Sequence, residues 1–219
     1  TYRLDVRGLT PGTTLGLRMF LACTAYELYW VEPTGRVSTL PVMNAGSVDP
    51  DGMVPEVALQ SSTVEVKNTE VTILLHVGNE HLTFGGLPTP LTIGTAKDVI
   101  EWENNWLALG SGSIAIMLVM FVYHLILFGL YREDRASLYF ALLCFVVAAY
   151  SSSGFMQLQR LFIREYSLAG YLLSAHVFFV GSYLSLGLMV SFLSSLYPEE
   201  FPRSFAKVTW ALMLVFTLV

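Results

Sequence analysis

The residues of this sequence whose types could do chemistry are few, and they fall in two different settings. Tyr29 and Trp30 stand side by side in the aromatic run AYELYWV (25–31), and Asn79 and His81 lie in the turn-forming run GNEHLTFGG (78–86). Rings, a carboxamide and an imidazole can hold a small polar ligand such as a sugar, stacking on its apolar face and bonding its hydroxyls. The bland readings are that aromatic strands are more often core than binding surface, and that 78–86 is a loop shaped by Gly and Asn. By strand alternation Tyr29 and Trp30 point to opposite faces, so at most one is core. His124 and His176 sit in long apolar stretches, where a polar ring costs free energy unless paired. A hydrogen bond to a neighbouring helix, through Ser174, Tyr183 or Tyr150, would make either a packing device. No second ligand stands at i+3 or i+4 from either His, so no metal site is predicted. No Ser, His and Asp set with a supporting motif, no phosphate-cradling Gly loop and no Cys/His ligand spacing occurs. The expectation is therefore no catalytic residue, no cofactor and no enzyme within these residues.

The elements that position these residues follow from an uneven distribution of charge. Of 219 residues, 54% are apolar and 13% charged, and the mean hydropathy is +0.58. Residues 1–106 carry 18 of the 29 charged side chains, and the remaining 11 lie between long apolar runs. The chain thus reads as a water-facing part followed by a lipid-facing part, divided near residue 100. A net charge of −5 without a Lys/Arg cluster argues against nucleic acid as a partner. Two cysteines, Cys23 and Cys144, fall in the two different parts, which excludes a disulfide framework. Thr1 opens directly in an alternating pattern and Val208–Val219 is a short apolar run, so the chain reads as a fragment lacking its targeting segment and ending inside a helix.

Tyr2, Leu4 and Val6 alternate with Arg3, Asp5 and Arg7, the period of a half-buried strand. Strand patterns recur at 15–19, 25–31, 36–40, 64–66, 71–77 and 91–93, separated by Gly, Pro, Asn and Asp, with 40–55 as a long connection. Many short strands without a helical period predict an all-β, jelly-roll-like antiparallel sandwich over 1–100. An α-helical transmembrane bundle is predicted over 101–219, with spans at about 107–131, 138–157, 170–196 and a truncated 208–219. Leu107 to Tyr131 carries no Lys, Arg, Asp or Glu, and Trp102, Trp106 and Tyr131 suit the headgroup level at its ends. Gly181 with Ser185, and Ala148 with Ser152, set small residues four apart, the spacing of close helix packing. Arg132, Arg135, Arg203 and Lys207 outnumber Lys97, Arg160 and Arg164 across the loops. That bias, with the placement of the strand-rich part before the first span, assigns the N-terminal domain outside the plasma (inner) membrane and the turn 132–135 inside.

The order TYRLDVRGL, GTTLGLRM, TAYELYW, VTILLHVGNEHLTFGGL and LTIG resembles the small extracellular jelly-roll domain of bacterial seven-transmembrane receptors with diverse intracellular signalling modules. The stretch GSIAIMLVMFVYHLILFGLYREDRASLYFALLCFVVAAYSSSG is similar to that family's first helix, charged turn and second helix. Gly78 and Glu80 stand where the family usually has Ser and Phe, and Tyr123 and His124 where it often has Tyr and Asn. The resemblance implies about three further helices and a cytoplasmic kinase, cyclase or phosphatase beyond this chain, and a sugar-like ligand for the head. The function expected is a membrane signal-transduction receptor. Its partners are a small molecule, the lipid bilayer and a second copy in a homodimer. Two other classes are a carbohydrate-binding structural or adhesive membrane protein and a ligand-gated channel. A channel fits poorly, because its second span needs a polar pore face and 138–149 is apolar on all sides.

Overall fold

The computed structural model describes residues 1–20, 24–38, 40–49, 51–56, 60–80, 86–154, 168–201 and 203–218. The chain forms two compact units, one holding Thr1–Trp106 together with residues 168–171, and the other the remaining described residues from Leu107 on. In the first, seven strands make two antiparallel sheets. β1 (Tyr2–Arg7), β6 (Glu70–Gly78), β3 (Ala25–Val31) and β4 (Met43–Ala45) are ordered β1-β6-β3-β4 in one sheet. β5 (Gln60–Glu65), β2 (Thr14–Met19) and β7 (Thr92–Thr95) are ordered β5-β2-β7 in the other. The chain changes sheet at every connection except β3–β4. Tyr26, Leu28 and Trp30 of β3 alternate inward with Ile73 and Leu75 of β6, and with Leu17 and Met19 of β2 they form one core. Period-two alternation thus fixes the inner face of each central strand.

Two expectations for the strands are corrected. Among the described residues of 36–40 there is an isolated bridge, Val37 to Val31, in place of a strand, and the fourth strand lies at Met43–Ala45. β5 begins at Gln60, ahead of the 64–66 pattern, because Gln60, Ser61, Ser62 and Thr63 take their register from β2 and not from their own apolarity. Behind β4, Glu56 is a buried carboxylate. Its Oε2 accepts the Gly46 N–H at 2.7 Å and its Oε1 accepts Gln60 Nε2 at 3.4 Å. Tyr26 packs on the same network, and burial, with the Glu56 charge, raises its phenol well above the ordinary value of 10.0.

The helix that follows starts earlier than its apolar run. α1 (Ala96–Leu130) is capped by Thr95, whose hydroxyl accepts the Asp98 N–H at 3.1 Å. Its opening turns lie on the outer face of the three-stranded sheet, the face that carries Gly16, Arg18, Ser61 and Gly94. Gly16 and Gly94 are cross-strand partners. A β carbon at Gly16 would stand 2.8 Å from the Val99 side chain and 2.9 Å from the Thr95 carbonyl oxygen. Val99, 3% exposed, fills that space. One helical turn on, Trp102 stacks on Trp106 at 5.5 Å, and Phe20 meets both rings edge-on. The Arg18 guanidinium sits 3.8 Å from the Trp102 ring centroid. Glu103 accepts the Ser61 hydroxyl. The span predicted at 107–131 is therefore the later part of a longer helix whose polar beginning belongs to the β unit.

In the second unit α2 (Arg135–Gly154) starts at a cap by Asp134, whose carboxylate accepts the Ser137 hydroxyl at 2.6 Å and N–H at 3.3 Å. These bonds hold the Asp134 carboxyl below its ordinary 3.8. α3 (Leu168–Leu196) and α4 (Arg203–Leu218) complete the described helices, α4 beginning five residues before the predicted 208. The second predicted span reached 157, and residues 155–157 lie outside the described residues. α1, α2 and α3 are long and apolar enough to cross a membrane. Rings bridge neighbouring helices, as Phe121 on Phe145 and Phe140 on Phe192 do. A β carbon at Gly181 would lie 2.7 Å from that of Tyr150, so α2 and α3 approach through this glycine.

Gly16→Ala is expected to destabilise the full chain by about 1–3 kcal/mol, because Val99 and the Thr95 carbonyl leave no room for a methyl group. Gly52→Ala, where nothing lies within 4 Å, should stay within about 0.5 kcal/mol of the parent in the same denaturation experiment in lipid nanodiscs. Asp5 supplies a pH dependence. The Thr72 hydroxyl donates to it across β1–β6 at 2.6 Å and Arg3 Nε at 3.1 Å, and these bonds lower its carboxyl below 3.8. A lowered folded value means support that is complete above the unfolded value and lost as pH falls through the folded one. Asp5→Asn should therefore be less stable than the parent near neutral pH and converge with it in acid, below pH 3.8.

Candidate functional site

The cavity of interest in the β unit is a cleft of about 540 Å³ at the side of the sandwich where β3 ends and β5 runs free. Trp30 forms its floor. The Trp30 backbone is tied to Ser38 twice, the Ser38 N–H donating to its carbonyl at 3.1 Å and its own N–H to the Ser38 hydroxyl at 3.3 Å. Between them the chain turns at Gly35, in the left-handed region at φ 79°, with the Glu32 N–H donating to the Arg36 carbonyl at 3.0 Å. That turn sets Glu32 and Arg36 on one rim. Thr63, Glu65 and Lys67 line the other, and the Ser62 hydroxyl donates to the carbonyl of Val42, a lining residue, at 2.9 Å.

Four charges, two of each sign, thus surround an indole and two hydroxyls. The ion pairs among the described residues are Arg3–Asp5, Arg7–Glu70 and Lys97–Glu101, so Glu32, Arg36, Glu65 and Lys67 are all outside them. Such a lining can bond a polyhydroxylated or charged small molecule and offer its apolar side a ring. It contains no nucleophile beside a base. Among the described residues no group of three or more His, Cys, Asp and Glu could hold a metal ion.

The residues singled out from sequence are dispersed. Trp30 faces the core and the cleft, whereas Tyr29 lies on the outer face of the same strand, as alternation requires. Its hydroxyl donates to Glu27 at 2.8 Å, and this bond, with slight burial, raises the phenol above 10.0. Beside it on that face Glu27 is directly opposite His76 on β6 and Asn44 on β4. Asn79 lies at the other end of β3, where its carboxamide oxygen accepts the Thr24 hydroxyl at 3.4 Å. His81 lies outside the described residues. The fold thus does not bring Tyr29, Trp30 and Asn79 into one pocket. Glu32, Arg36, Glu65 and Lys67 escaped the sequence reading because nothing in their spacing announces that a turn and a distant strand meet.

Both imidazoles of the apolar helices have defined surroundings. His176 Nδ1–H donates to the Leu172 carbonyl of its own helix at 2.7 Å, instead of to a neighbouring helix, and lines a groove of about 260 Å³ with Phe179 and Tyr183. His124 meets the Phe140 ring edge-on at 4.6 Å, and its Nδ1 is buried without a partner among the described residues.

Comparison of the chain with protein-family profiles, with curated proteins and with solved structures finds no match. What the fold defines is a class: a two-sheet antiparallel β unit followed by helices, three of them long and apolar enough to span a bilayer.

Trp30→Ala is expected to cost roughly 3–5 kcal/mol, as for a buried aromatic ring. Tyr29→Ala, on the outer face, should cost no more than about 1 kcal/mol. Chemical denaturation of the full chain, followed by tyrosine fluorescence, separates the two.

Proposed function

We propose that this chain is the sensing part of a membrane receptor: a jelly-roll-type domain outside the plasma membrane binds a small polar molecule, sugar-like in chemistry, and the helices carry its occupancy to an output domain inside. One observation carries this reading. α1 is a single helix whose residues 96–106 belong to the β unit and whose later residues are apolar enough to cross a bilayer. In this reading a ligand that shifts the β unit acts on the span through the helix that both share. Signalling further requires that the ligand bind two arrangements of the protein with different affinity. The winding of the chain between sheets at nearly every connection supports the jelly-roll assignment. The Trp30 cleft supplies the ring, the hydroxyls and the charges such a ligand needs.

The test uses the full chain in lipid nanodiscs, titrated with a panel of mono- and disaccharides while tryptophan emission is read. Binding by one of them, weakened at least tenfold in Arg36→Ala and Lys67→Ala with stability unchanged, is the expected result. A panel without any response overturns the sugar-like ligand. Orientation is tested separately in a background with Cys23 and Cys144 replaced by Ser. A membrane-impermeant maleimide should label Gly52→Cys on intact cells and Glu133→Cys only after permeabilisation. The reverse pattern overturns the outside assignment.

A further inference from the structure

β1 is an edge strand, and its inner face packs on the core at Val6 but leaves Tyr2 and Leu4 exposed. Tyr2, Leu4 and Val6 continue the rows that on β6 are Leu75, Ile73 and Val71. Leu75 and Ile73 are 4% and 1% exposed, but Tyr2 and Leu4, one strand further out, are 50% and 47% exposed. The four-stranded sheet therefore extends its apolar face past whatever covers it. Among the described residues no strand pairs with the other side of β1, which leaves a row of free backbone donors and acceptors.

The outer face of the same strand says what fits there. It carries Arg3, Asp5 and Arg7, alternating in sign. Arg7 is 3.9 Å from Glu70 on β6, whereas Arg3 pairs with Asp5 on its own strand, in solvent, and Asp5 also accepts the Thr72 hydroxyl of β6. Antiparallel pairing of β1 with itself keeps like faces together only when the residue numbers of opposed residues have an even sum, because a slip of one residue exchanges the faces. Two such registers pair five residues of the strand. A sum of 10 sets Arg3 against Arg7 twice and Asp5 against Asp5. A sum of 8 sets Arg3 against Asp5 twice, Tyr2 against Val6 twice and Leu4 against Leu4. The second alone is complementary on both faces.

We propose that β1 is a homodimer interface: two copies of this chain join edge to edge across a two-fold axis, with Leu4 facing Leu4 of the other copy and Arg3 facing its Asp5. The contact is isologous, joins the two four-stranded sheets into one and closes both free edges. It stands independently of the sensing role.

The test is register-specific and uses the full chain in native membranes, with Cys23 and Cys144 replaced by Ser. Leu4→Cys should give a disulfide-linked dimer under mild oxidation, and Arg7→Cys at least tenfold less. Adding Arg3→Asp opposes carboxylate to carboxylate and should lower the Leu4→Cys yield at least tenfold. Adding Asp5→Arg to that variant restores both pairs, across the interface and within the strand, and should recover the yield. Tryptophan emission in each variant confirms that the β unit is folded. No dimer from folded Leu4→Cys overturns the proposal, whether the chain is then monomeric, joined elsewhere or covered at β1 by another partner. So does a yield indifferent to the charge reversal, or equal linking through Arg7→Cys.

Discussion

Val99 approaches the backbone of β2 more closely than any side chain at position 16 would permit, and the arrangement of the β unit follows from that contact. A sheet face that must receive a helix needs a place where the helix can come down, and the Gly16–Gly94 pair makes one. Around it the remaining contacts fall into line along α1: the Thr95 cap behind, then Trp102 under Arg18, Glu103 on Ser61 and Trp106 against Phe20. The three-stranded sheet is thereby covered on both sides, by the other sheet within and by the helix without. It can keep a polar outer row because that row is spent on the helix.

The apolar helices deal with polarity differently. Ser182, Ser191, Thr209 and Thr217 each donate a hydroxyl to the carbonyl four residues earlier, and His176 does the same with its ring. These groups are satisfied inside their own helix, as an apolar solvent demands. The Ser191 hydroxyl in addition accepts Trp210 Nε1–H at 2.9 Å, tying α4 to α3 where Gly187 leaves room for the indole. His124 stands apart, with a ring held by aromatic faces and a buried nitrogen that those faces do not satisfy.

What could be read from the sequence was whatever repeats locally. The alternation of β1, β2, β3 and β6 was legible because each has one face on the core, and so was the opposite orientation of Tyr29 and Trp30. β5 was half hidden, since Gln60 to Thr63 are polar residues whose strand conformation is imposed by β2. The start of α1 was hidden for a related reason: KDVIEWENNW looks water-facing, yet Val99, Trp102 and Trp106 lie on one side of a helix that rests on protein before its apolar run begins. The cleft was not legible at all, because Trp30, Arg36 and Lys67 come together only through a turn and a cross-sheet contact. Glu56 was likewise unremarked, as one acid among many until burial against Gly46 singles it out.

The stacked indoles have a practical consequence. Two tryptophans at 5.5 Å with nearly parallel planes couple their electronic transitions, and an adjacent guanidinium perturbs the nearer one. Near-ultraviolet circular dichroism should therefore carry a paired, oppositely signed band that exists only while the opening turns of the helix are seated on the sheet. The molecule contains its own optical gauge of that docking, legible without any added dye.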